Sequence, residues 1–158
     1  MLDRAWFEAV DNLWLANVIK DSRWWFPVIE TVHVLGFSAL MGTTFLVDMH
    51  FFGISMQKQP VQRIARQLWP WTLFSLLVVT ITGILMFISE AIKCYDNAAF
   101  WPKMVFFSTA IVFQMTLHKR LTMNEDAMPS PAMGKLAGML SVFLWSATFV
   151  AGRAIGFV

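Results

Sequence analysis

PWTLFSLLVVTITGILMFIS, residues 70–89, is the stretch whose reading decides the fold. It holds no charged side chain, and its polar residues Thr72, Ser75, Thr82 and Ser89 form only a mild stripe. A bilayer core of about 30 Å takes roughly 20 apolar residues as a helix, which is the length of this run. Three more blocks have the same character. The spans are placed at about Pro27–Asp48, Pro70–Glu90, Trp101–His118 and Leu136–Phe157. With their loops they use nearly all of the 158 residues, which leaves one domain and no separate soluble module. The expected fold class is all-α, a four-helix transmembrane bundle preceded by an N-terminal amphipathic helix.

Composition agrees. Hydrophobic residues make up 58% of the chain and charged ones 14%, where a soluble domain carries about a quarter charged. The net charge of +2 is too small to argue for nucleic acid; basic side chains at helix ends suit anionic lipid headgroups. One cysteine, Cys94, excludes an internal disulfide and a multi-cysteine metal site. Asp3, Glu8 and Asp11 interrupt any signal-peptide core. In residues 2–20, Leu2, Trp6, Val10 and Leu13 line one side of a helix expected to lie in the membrane interface, with Trp24 and Trp25 at headgroup level.

The first three spans open alike, Phe26-Pro27, Trp69-Pro70 and Trp101-Pro102, since proline suits a first helical turn. Residues 53–68 read as a loop with a short amphipathic stretch, and Thr122–Pro131 as an exposed connection. Thr148, Gly152 and Gly156 form a small-residue ridge, and Gly36, Gly42 and Gly83 allow similar close helix contacts. The loops after spans one and three carry more Lys and Arg than the other short loop. Both termini are therefore expected on the periplasmic side of a bacterial inner membrane.

Ionisable residues inside spans are costly and default to a functional reading. At 100° per residue, Glu30, His33, Thr44 and Asp48 share one face of span one; Lys103, Gln114 and His118 share one face of span three. Depth along each helix then gathers Glu30, His33, Glu90, Lys103 and Arg153 toward the outer side, with Trp101 and Trp25 as a roof. Two accounts compete. The bland one is a charge-compensated cluster, pairing Glu30 with Arg153 or Glu90 with Lys103. The functional one is a site for a quinone headgroup, a haem edge or a small anion.

Haem is the sharper test. His33 and His118 both face inward but differ in depth by roughly 20 Å, so they should not share one haem. His50 is nearer His118 in depth but points about 160° off the inward stripe. Ligation by one histidine, His33 or with less support His118, together with a methionine such as Met104 or a group from another subunit, stays open. The eleven methionines follow no Cu(I)-binding pattern.

The run Trp25-Phe26-Pro27-Val28-Ile29-Glu30-Thr31-Val32-His33-Val34-Leu35-Gly36, then Asp48, Gly53, Thr82-Gly83 and Trp101-Pro102-Lys103, resembles a family of small uncharacterised bacterial four-span membrane proteins. The resemblance implies the fold and brings no activity. The architecture is more distantly similar to the cytochrome b561 and copper-resistance membrane proteins, which ligate haem through histidines of several spans; this chain has none in spans two or four.

The function expected is a membrane redox component or redox-complex subunit, more a component than an enzyme by itself. It would bind a quinone or one b-type haem near the outer face through His33, Glu30, Lys103, Arg153, Glu90 and Trp101. The alternative is a cofactor-free anchor or assembly subunit. Either role implies the lipid bilayer and further membrane or periplasmic subunits as partners.

Overall fold

The structure, a computed structural model, describes residues 4–54, 58–123 and 130–157. Leu2, Asp3 and residues 55–57 and 124–129 of the expected loops lie outside the described residues. Those described are all-helical. Three helices are long and apolar enough to cross a membrane: α3 (Trp25–Phe51), α4 (Val61–Ser89) and α8 (Pro131–Ala154). Helix α6 (Phe100–Phe113) continues through a π-helical turn, Gln114–His118, directly into α7 (Lys119–Met123). Helix α3 packs most extensively on α4, α6 packs on α8, and α3 also meets α8.

The radial distribution of side chains is that of a membrane bundle. Large apolar residues such as Val34, Leu35, Phe74, Leu77, Val105, Val112, Phe143 and Val150 point outward. Buried positions include Thr44, Asp48, Thr72, Ser75, Thr82, Gln114, His118, Ser141 and Thr148. Water drives apolar groups inward; where a chain exposes them and hides its polar groups, the surrounding medium is the apolar one. A smaller apolar core remains inside, built on Phe37, Leu40, Val79, Ala110, Phe113, Leu144 and Trp145. Helices α3 and α4 approach closely at Gly36, where a Cβ would come 2.9 Å from Val78 Cγ1. Of the other glycines named above, Gly42 faces open space. In the small-residue ridge Thr148 is buried, Gly152 faces Lys103 and Gly156 is exposed.

Three boundaries differ most from expectation. Helix α4 starts at Val61, so Pro70 sits inside it rather than opening it. An interior proline costs about 3 kcal/mol. The amphipathic stretch before it offsets that cost by burying Val61, Ile64 and Ala65 against Val47 and Phe51. Pro27 and Pro102 do fall in first turns. Helix α8 begins earlier than expected, at Pro131, because the Ser130 hydroxyl caps it by accepting from the Met133 N–H at 3.3 Å. The third helical path runs past His118 to Met123.

The N-terminal helix is two helices, α1 (Arg4–Asp11) and α2 (Trp14–Asp21). Asn12 ends the first by donating its side-chain N–H to the Glu8 carbonyl at 2.8 Å. Both helices pack on the bundle end. Phe7 is buried among Phe87, Tyr95 and Trp101, and Ala16 and Ile19 are also buried; Trp6, Leu13 and Trp14 remain exposed. The short helix α5 (Ala91–Asp96) links α4 to α6 and packs against α1.

Candidate functional site

At the Trp25 end of the bundle, two of the expected site residues lie within electrostatic range of each other. His33 on α3 is half-buried, and its Nδ1 lies 2.8 Å from the Thr82 hydroxyl of α4. That hydroxyl donates to the Val78 carbonyl at 2.6 Å, so it accepts from His33 and favours a proton on Nδ1. Lys103 on α6 is close enough for its charge to act on the ring. Two glycines make room for these side chains. A Cβ at Gly83 would come 3.3 Å from His33 Cε1, and one at Gly152 would come 3.5 Å from Lys103 Cε. Among the described residues no carboxylate pairs with Lys103.

The remaining members of the expected cluster stand apart. Glu30 is exposed and unpaired among the described residues. Glu90 pairs with Lys93 on the next helix, not with Lys103. Arg153 is exposed and lies over the Phe157 ring, 4.8 Å from its centroid, not against Glu30. Neither ion pair of the charge-compensated account forms, because each partner has a nearer local one or faces outward. Trp101 is 41% exposed and packs on Phe7 and Phe100.

The other end of the bundle holds a deeply buried titratable pair. His118 Nε2 lies 2.9 Å from Asp48 Oδ1, with the residues 2% and 1% exposed. Gln114 Nε2 lies 3.3 Å from His118 Nδ1. The rings of Phe51 and Phe113 stand about the imidazole, with centroids 6.1 and 5.9 Å away. Thr122 donates its hydroxyl to the His118 carbonyl at 2.8 Å. The Ser141 hydroxyl of α8 is fully buried beside the Asp48 carboxylate without a hydrogen bond of ordinary length.

Local backbone structure explains how this pair forms. The π turn gives the Lys119 N–H to the Gln114 carbonyl, five residues back. One extra residue in the turn widens it and keeps both Gln114 and His118 directed inward at the level of Asp48. Such turns occur often at functional sites.

From the sequence, His118 reads only as a less-favoured haem ligand, and Asp48 stands outside the expected site. The signal for the pair lies in their placement: both are on the inward stripes of spans one and three, at similar depth.

Fold and site together define an all-helical protein of membrane type with polar groups buried at both ends of its bundle. The chain belongs to the family of unknown function DUF6644, whose model matches residues 7–158. No curated protein and no solved structure matches it.

Proposed function

We propose that the chain crosses the bacterial inner membrane four times, with both termini periplasmic. On this reading it is a redox component or redox-complex subunit that binds a quinone headgroup at the Trp25 end. The run Phe100–Met123 serves as the remaining crossing: at about 1.5 Å per residue it matches the hydrocarbon thickness. The excess of Lys and Arg in the loops at the opposite end supports the orientation.

One observation carries the ligand reading. His33 and Lys103 come from different helices, the lysine's charge acts on the ring, each packs against a glycine of a neighbouring helix, and the lysine has no carboxylate of its own among the described residues. An N–H donor and an ammonium at one membrane face suit the carbonyl oxygens of a quinone. A b-type haem would have His33 as its ligand rather than His118. Both ring nitrogens of His118 are engaged by Asp48 and Gln114. Met104, the candidate thioether, is 40% exposed, on the outward side of α6.

The test is a titration of a short-chain quinone analogue into detergent-purified protein, followed by tryptophan quenching. Saturable quenching is expected, weakened at least tenfold by His33→Leu and by Lys103→Met. Equal quenching in all three proteins removes the reading. A cofactor-free assembly subunit would then stand, and it requires co-purification with a larger complex. A Soret band in the purified protein would return the ligand to haem.

A further inference from the structure

The buried group at the π turn has a property that the quinone reading does not use. An amide N–H can only donate, so with Gln114 Nε2 toward Nδ1 the imidazole accepts there. Its one proton is then on Nε2 and points at the Asp48 carboxylate. That state holds one uncompensated negative charge at a position 1% exposed, an arrangement that a dry site disfavours strongly. Turning the Gln114 amide over brings Oε1 to Nδ1. This oxygen is buried and has no partner, and it can only accept, so Nδ1 must then carry a proton. The two amide orientations therefore correspond to two states of Nδ1, and with Asp48 ionised only the second, in which both ring nitrogens carry protons, is electrically neutral.

We propose that Asp48, His118 and Gln114 form a binding site for a single proton at the end of the bundle where α3 and α4 are joined. The proton arrives as a new N–H bond at His118 Nδ1. Either Asp48 stays ionised as the counter-ion, or it takes the Nε2 proton; in both cases the net charge goes from minus one to zero and nothing is oxidised. Asp48 is within one turn of the end of α3, and His118 begins the short passage to the end of α7, so exchange with that face crosses little of the bundle. The widened turn gives Gln114 and His118 the slack for the amide to rotate.

The other titratable groups on the surrounding elements are His50 on α3, Arg63 and Arg66 on α4, Lys119 and Arg120 on α7, and Lys135 on α8. The five cations are exposed. Arg66 reaches the Met123 carbonyl at 3.4 Å, and Lys119 lies over Trp69, 4.9 Å from the ring centroid. His50 is half-buried.

The experiment is a pH titration of the full chain, labelled with ¹⁵N at histidine and glutamine, in lipid nanodiscs. As the pH is lowered, the His118 Nδ1 signal should change from an acceptor nitrogen to an N–H nitrogen. The Gln114 side-chain amide signals should shift at the same midpoint. In Asp48→Asn, the midpoint should fall by at least about one pH unit, a tenfold loss of proton affinity. A His118 that keeps one state throughout, or an unchanged midpoint in D48N, overturns the proposal. If D48N does not fold, the native protein decides alone: separate midpoints for His118 and Gln114 overturn it. None of these readouts depends on quinone binding.

Discussion

Replacing Asp48 by alanine tests whether the buried pair holds the third helical path to α3. The bond is 2.9 Å long and both residues are almost wholly out of solvent, so screening does not weaken it. Losing the carboxylate leaves the His118 Nε2–H without an acceptor in a dry site, which costs about 1–3 kcal/mol. If the imidazole is charged, the cost reaches about 3–5 kcal/mol. An expected loss of about 3 kcal/mol follows. Asp11→Ala is the control: the Lys20–Asp11 bridge is just as short, 2.7 Å, but its lysine side chain is 37% exposed. A solvated pair contributes about 0–1 kcal/mol. Equilibrium unfolding in mixed micelles, followed by circular dichroism, measures both. Removing both partners with Asp48→Leu and His118→Leu should recover much of the loss, because no orphaned donor remains. The reasoning fails if Asp48→Ala costs no more than Asp11→Ala, or if the two single losses simply add in the double variant.

Three further outcomes are expected. Gly36→Ala should destabilise the protein by about 1–3 kcal/mol by unfolding titration, since its Cβ would press on Val78. Gly42→Ala, which meets open space, should be neutral or stabilise by up to about 1 kcal/mol. Burial first, and then the Glu90 charge, push the Cys94 thiol up to about 11. Only the thiolate reacts, so alkylation followed by mass spectrometry should be slow at pH 8 and rise about tenfold per pH unit toward pH 10; a plateau by pH 9 would contradict this. Thr82→Val removes the acceptor for His33 Nδ1 and should weaken quinone-analogue quenching without loss of helix content.

Much of the fold was legible because membrane helices declare themselves locally. Each long apolar block became a helix, and the inward stripes led by Thr44, Thr72 and Gln114 are buried as their 100° spacing implied. The ends were less legible. Pro70 looked like a helix start, yet tertiary burial of Val61, Ile64 and Ala65 carries α4 back past it. Asn12 looked like one more polar residue in an amphipathic run, yet its side chain ends α1. At the candidate site, stripe and depth put Lys103 and His33 at the same end of the bundle, and the lysine's charge does act on the ring. The outward turn of Glu30 and Arg153 did not, because a residue within a turn of a helix end can reach the headgroups instead of the interior.

The chain's own residue order therefore determined that the protein is helical, that the runs in α3, α4 and α8 are long and apolar enough to cross a bilayer, and much of which face of each run turns inward. These properties depend on periodicity within a few turns. Tertiary structure alone decided that Asp48 meets His118 across seventy positions and that Lys103 meets glycine rather than glutamate. Those meetings depend on how far each helix slides and turns against its neighbours. One π turn alters that register downstream without leaving a mark on hydrophobic spacing.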